Sequence, residues 1–128
     1  MKRLVLVALA ACGAHAPPPP AKSADVAGPR VEDATVAGYV TLVDFWGESC
    51  AACKVVEGKI GTEIAKNDRV IVRKVDVGDG FTPIAQAYTV SVLPHWHIYD
   101  TKRRLRFILI GPECLRAPTL AAELLAEH

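Results

Sequence analysis

Hydrophobic and polar positions change period several times along this chain, and each change marks an element. Residues 39–46, Tyr-Val-Thr-Leu-Val-Asp-Phe-Trp, form an almost unbroken apolar run rich in β-branched and aromatic side chains, the pattern of a strand buried on both faces. Beyond Gly47 the period lengthens: Val55, Val56, Ile60 and Ile64 predict one face of a helix running to about Lys66, with Ser49 as its N-cap and Asn67-Asp68 as its end. Gly58 and Gly61 each cost that helix about 1 kcal/mol relative to Ala, so a bend is expected there. Residues 70–77 return to strand character, and two strands separated by such a helix predict a βαβ crossover with parallel pairing. Thr82 and Pro83 open a short helix to about Tyr88, and residues 90–99 carry a strand headed by Pro94. After the turn Asp100-Thr101-Lys102, residues 104–110 return as the second arm of an antiparallel hairpin that Gly111-Pro112 breaks. An amphipathic helix over residues 118–127, using Leu120, Leu124 and Leu125, closes the chain.

The residues before this pattern read differently. Lys2 and Arg3, an apolar run over residues 4–9 and Leu9-Ala10-Ala11-Cys12 have the layout of an export signal, and the run is too short to span a bilayer. Leu9-Ala10-Ala11-Cys12 also resembles a bacterial lipobox, which implies lipidation of Cys12, so the expected division is a signal peptide over 1–11, that lipidated cysteine with a Pro/Ala-rich linker over 12–30, and one folded domain over 31–128. Pro17-Pro18-Pro19-Pro20 favours an extended, disordered spacer. Residues 31–38 are polar and predict no more than a turn of helix or an edge element.

With 128 residues and 51% hydrophobic content, the chain can build one domain with a proper core. Its 15 basic and 14 acidic side chains balance, and losing Lys2 and Arg3 leaves the remainder about one charge negative. No nucleic-acid surface follows from such a balance. Four cysteines, at positions 12, 50, 53 and 114, are too few and too unevenly placed for a disulfide-rich scaffold.

Chemistry concentrates where the first strand meets the first helix. Two residues between Cys50 and Cys53 at a helix start bring the sulfurs within bonding reach, exposing the first and tucking the second behind it. Cys50 is the expected nucleophile and Cys53 the resolving thiol. The unpaired N–H groups and dipole of the helix favour a Cys50 thiolate by about 0.3 to 1 kcal/mol. Asp44 interrupts an apolar strand, where a carboxylate is costly unless paired or used. Pro94 heads an interior strand although it cannot donate to the ladder. His95 and His97 share a strand face and could lower a thiol pKa, shuttle a proton or complete a metal site with Cys50 and Cys53. Cys114 has no partner by spacing and reads as a bystander thiol.

Val43, Asp44, Phe45, Trp46, Cys50, Cys53 and Lys54 match a pattern of the thioredoxin family, which the chain from about Tyr39 to Glu127 resembles. The resemblance implies an α/β thioredoxin fold, a central mixed β-sheet flanked by helices, here shortened at its N-terminus. It implies a redox-active Cys50–Cys53 disulfide, Asp44 as proton acceptor with Lys74 as its partner, and a cis Pro94. It further implies that Trp46, Leu93, Pro94, His95 and Gly111 meet the substrate. Ser49 departs from the family's Trp, Ala51-Ala52 from its Gly-Pro, and Gly58 from a helix-kinking Pro. Cys-Ala-Ala-Cys-Lys looks more like exported thiol:disulfide interchange proteins, and Leu-Ala-Ala-Cys resembles a bacterial lipobox, with Gly13 favouring the outer membrane. The function expected is a lipid-anchored, periplasm-facing thiol–disulfide oxidoreductase acting on cysteine pairs of envelope proteins with a membrane redox partner and no cofactor. The alternative is a copper- or zinc-delivery protein using Cys50, Cys53 and His95. The direction of exchange is set by a potential against a partner, not by Ala51-Ala52.

Overall fold

The computed structural model describes Val5, Gly13 and residues 15–78 and 80–127. Strands β1 (Ser23–Asp25), β2 (Val40–Trp46), β3 (Val70–Asp76), β4 (His95–Tyr99) and β5 (Leu105–Ile110) form one sheet in the order β1-β3-β2-β4-β5. β1, β3 and β2 run parallel, whereas β4 is antiparallel to β2 and β5 to β4, so the sheet is mixed. Helices α1 (Ala51–Ala65), α2 (Pro83–Ala87) and α3 (Ala117–Ala126) join them, with 3-10 turns over Val31–Ala34 and Gly111–Arg116.

Strand alternation sorts side chains into two cores. Val40, Leu42, Trp96 and Ile98 face α1 and α3, meeting Val56, Ile60, Ile64, Leu120 and Leu124. Val43, Phe45, Val75 and Tyr99 face the other way, onto Val31, Ala85 and Val90. β2, fully buried over its first six residues, is shared by both, which is why its sequence is apolar at consecutive positions.

The main departure from expectation is β1, which lies inside the stretch read as a disordered linker. Its sequence Ser-Ala-Asp carries no apolar periodicity; the strand is held by backbone pairing and by the side chains of Lys22, just before it, and Arg73 of β3. Val72 donates to the Lys22 carbonyl at 2.8 Å and Val26 to that of Lys74 at 2.8 Å. Lys22 Nζ donates to the carbonyls of Asn67 and of Val70, and the buried Arg73 donates to that of Ala21 at 3.0 Å. The shortening of the N-terminus falls instead on the connection after β1, where a 3-10 turn stands in place of a helix. On α1, Val56, Ile60 and Ile64 are buried as expected but Val55 is 54% exposed, because Cys53 and not Val55 continues the buried stripe. Cys12 and, apart from Val5, the residues 1–11 read as a signal peptide lie outside the described residues, and no helix among those described is long and apolar enough to cross a membrane.

Candidate active site

β2 delivers the chain to the dithiol through a tight passage. A Cβ on Gly47 would stand 2.9 Å from the Gly78 carbonyl oxygen, closer than real contacts allow, so the two loop backbones meet only because residue 47 is glycine. Cys50 N–H donates to the Gly47 carbonyl at 3.0 Å, closing the turn that starts α1. Cys50, not Ser49, is the N-cap: its sulfur accepts the Cys53 N–H at 3.1 Å, which leaves Ser49 exposed in the loop. The two sulfurs are bonded at 2.18 Å, with Cα atoms 5.3 Å apart. Cys50 is half-buried while Cys53 is 2% exposed, so only the first sulfur can be reached from solvent. The open side is a groove of about 220 Å³ bordered by Gly47, Cys50, Gly78 and Leu93.

The Leu93–Pro94 peptide bond is cis, and Leu93 is half-buried at the edge of that groove. Gly111 N–H donates to the Pro94 carbonyl at 2.8 Å and adopts φ +61°, a conformation that favours glycine. Trp46 is half-buried, with Lys74 Nζ 4.7 Å from its ring centroid.

Beneath α1 the register of the sheet sets three groups side by side. Asp44 pairs with Lys74 on β3 and with Trp96 on β4, and it is 1% exposed. Lys74 forms its ion pair with Glu57 of α1 at 3.0 Å rather than with Asp44, as the sequence had led one to expect. Glu57 is reachable by water and ionises readily, whereas Asp44 does not. Burial, a hydrogen bond with Glu57 and the Glu57 charge raise the Asp44 carboxyl to about 8, against the opposing pull of Lys74 and a hydrogen bond from Trp96. Burial also disfavours an ionised Glu57, but the hydrogen bond from Asp44 and the Lys74 ammonium outweigh it and hold that carboxyl below its ordinary value. Sequence reasoning missed Glu57 and Trp96. The signal for Glu57 was present: an acid four residues after Cys53, on a stripe otherwise apolar.

His95 and His97 do not join the dithiol. Because Asp44 pairs with Trp96, both histidines fall on the opposite sheet face, where His95 Nε2 and His97 Nε2 are 3.0 Å apart and Phe45 packs on both rings. Burial and the neighbouring His95 lower His97 to about 4, and burial lowers His95 as well. Among the described residues no three His, Cys, Asp or Glu side chains gather as metal ligands, so the set Cys50, Cys53 and His95 is not assembled. Cys114 is fully buried, its thiol donating to the Leu109 carbonyl at 3.4 Å, and burial pushes it up to about 12.

A mixed sheet presenting a bonded cysteine pair at a helix start, with a cis proline across the groove, is the layout of a protein that exchanges disulfides. The family model for thioredoxin matches residues 31–111, more than half of the chain, and the chain belongs to the thioredoxin family. No curated protein matches the sequence. Among solved structures, the chain is similar to a mutant thioredoxin from Halobacterium salinarum NRC-1, 23% identical, covering 84% of this chain and 94% of that one with a TM-score of 0.67. Thioredoxin from Trypanosoma brucei brucei is 18% identical over 82% of this chain and 92% of that one, with a TM-score of 0.68. A Malassezia sympodialis thioredoxin is 18% identical over 88% and 99%, with a TM-score of 0.63. With its Cys-x-x-Cys pair at disulfide distance, this thioredoxin domain is a thiol–disulfide oxidoreductase.

Proposed function

We propose that the chain is a membrane-tethered oxidoreductase that exchanges the Cys50–Cys53 disulfide with cysteine pairs of envelope proteins. The observation that carries the exchange is the asymmetry of the pair: Cys50 is half-buried on an open groove and Cys53 is sealed at 2% exposure. In the reducing direction the Cys50 thiolate attacks one sulfur of a substrate disulfide, forming a mixed disulfide and releasing the other substrate sulfur as a thiolate. Cys53 then loses its proton to Asp44 and attacks the Cys50 sulfur. The Cys50–Cys53 bond forms, the second substrate sulfur leaves, and two electrons have passed from the domain to the substrate. The same steps reversed oxidise a dithiol. Leu93 beside the groove supplies backbone for the substrate chain, and Trp46, Pro94 and Gly111 shape that side of the site, whereas the side chain of His95 is turned to the opposite sheet face. Lys74 keeps charge balanced beneath it through Glu57.

The tether is supported by the Leu9-Ala10-Ala11-Cys12 sequence and the proline-rich spacer after it. Acyl chains on Cys12 contribute about 0.8 kcal/mol per buried CH₂, so more than one holds a soluble domain at a membrane surface. Two measurements test the reading. Cys53→Ser should accumulate a mixed disulfide with a cysteine-containing peptide, and Cys50→Ser should turn over nothing; turnover by Cys50→Ser would sink the mechanism. Mass spectrometry of the N-terminal peptide from native membranes should find an acylated Cys12, and a retained Met1 or an unmodified Cys12 would remove the tether.

A further inference from the structure

Ser49 stands beside Cys50 where the family pattern carries Trp, and it is exposed. Two hollows meet at it. One is the groove of about 220 Å³ that Cys50 and Leu93 border; the other, of about 410 Å³, is walled by Glu48, Ser49, Asp76 and Gly78. Ser49 and Gly78 line both, so the second hollow is a side pocket of the first and opens one residue from the reactive sulfur. An indole at residue 49 would stand at that junction, whereas a hydroxymethyl group leaves it open. The pocket is acidic: Glu48 is exposed, and Asp76 accepts the Gly78 N–H on Oδ1 at 2.8 Å, which pins the loop. Among the described residues neither carboxylate has an ion-pair partner. Lys74 is engaged with Glu57 at 3.0 Å, and neither it nor Lys54 lines the pocket. Asp79 of the same loop lies outside the described residues.

We propose that Ser49 opens a specificity pocket that selects polypeptides with a long basic side chain, Arg or Lys, two residues from the cysteine that Cys50 attacks, with Glu48 and Asp76 meeting its charge. This rests on the exchange reading above, in which Cys50 is the attacking sulfur. In an extended substrate, residues two positions from the cysteine point to the same side as its sulfur and so face the domain. A long side chain leaving from there can lay its stem over the Ser49 gap and carry its cation to the two carboxylates, which a short one cannot reach. The chain's formal net charge is +1, so a preference for cationic substrates has to come from a local feature such as this pocket and not from the field of the whole protein. Because both carboxylates sit at the surface, salt screens the attraction.

The test compares substrates within one protein. The reduced full chain carrying Cys12→Ser is mixed with the disulfide-linked dimers of four peptides, X-Gly-Cys-Gly-X with X as Arg, Leu, Gly or Asp, and the peptide thiol released is trapped in acid and separated by chromatography. Bis(2-hydroxyethyl) disulfide, which is neutral and has no side chain to place in the pocket, reports Cys50 alone. At about 20 mM salt the Arg peptide should be reduced about tenfold faster than the Gly peptide and the Asp peptide more slowly than either, with the Arg advantage shrinking in about 0.5 M salt. The double variant Glu48→Gln with Asp76→Asn keeps the shapes and the Oδ1 acceptor for Gly78 but removes both charges, and it should bring Arg to within about threefold of Gly. Ser49→Trp, which fills the junction and keeps the charges, should do the same. Equal rates for Arg, Gly and Asp in the parent, a Leu peptide that outpaces Arg, or an Arg preference that survives either substitution overturns the proposal. If the parent leaves the hydroxyethyl disulfide unreduced, the exchange reading itself fails and the pocket falls with it.

Discussion

Replacing Asp44 with Asn tests whether the strand carboxyl is held protonated by the fold. In the unfolded chain the carboxyl ionises at its ordinary 3.8, while the folded protein holds its proton to about 8. Between those values the unfolded state binds fewer protons than the folded one, so stability falls as pH rises. The contribution is fully present below pH 3.8 and gone above about 8. At about 1.4 kcal/mol per pH unit, the whole span amounts to on the order of 5 kcal/mol. The charge is shared with Glu57 and Lys74, which makes that figure an upper bound. An Asn side chain keeps the shape of the protonated carboxyl and a donor toward Glu57, but it cannot ionise. Asp44→Asn should therefore equal or slightly trail the parent at pH 4 and exceed it by several kcal/mol at pH 9. Guanidinium unfolding of the oxidised protein, followed by the fluorescence of Trp46 and Trp96, reads the difference directly. Parallel stability curves for the two proteins across pH 4 to 9 would refute the reasoning, because they would mean that Asp44 titrates alike in both states.

Two further outcomes follow from packing. Gly47→Ala should cost about 1–3 kcal/mol by forcing the residue 47 and 78 backbones apart, and should slow exchange with peptide disulfides more than with small ones, since the groove wall moves; urea midpoints and the two rates check it. Cys114 is fully buried with its thiol pushed up to about 12, so reduced native protein lacking Cys12 should titrate two thiols promptly and the third only in denaturant; three prompt thiols would contradict that burial.

Much of the fold was legible because β2 and β4 are buried on both faces and the long helices on one, so their apolar periods were unambiguous. The dithiol turn and the strand-head proline were equally legible, each being a residue type placed where ordinary packing disfavours it. β1 was not, because Ser-Ala-Asp holds its place by backbone pairing and by the reach of the Lys22 and Arg73 side chains beside it, none of which leaves an apolar pattern. The partner of Lys74 and the placing of the histidines were hidden for another reason. A period of two shows that His95 and His97 share a face, but only the register of β4 on β2 decides which, and a shift of one residue would have turned them toward α1.

That register separates two buried ionisable groups whose pH effects oppose one another. Asp44, under α1, makes stability fall with rising pH from 3.8 to about 8. His97, on the far face, is lowered from 6.5 to about 4, so the unfolded state binds the extra proton and stability falls as pH drops through that window. His95 is lowered too and acts in the same direction as His97. From pH 4 to 6.5 the Asp44 and His97 slopes, each about 1.4 kcal/mol per pH unit, run against each other and nearly cancel. With His95 adding to the His97 side, the parent should therefore change only gently over that range, rising with pH by the His95 share, and lose on the order of 2 kcal/mol between pH 6.5 and 8, where Asp44 is still titrating. Removing one group exposes the other: Asp44→Asn should gain on the order of 3 kcal/mol of stability from pH 4 to 6.5, and His97→Phe, which keeps a ring against Phe45, should lose stability across the same interval. Opposite slopes in the two variants, one on each side of the parent, need both groups buried in the folded protein, and a flat Asp44→Asn profile below pH 6.5 would show that the histidine pair protonates as freely folded as unfolded.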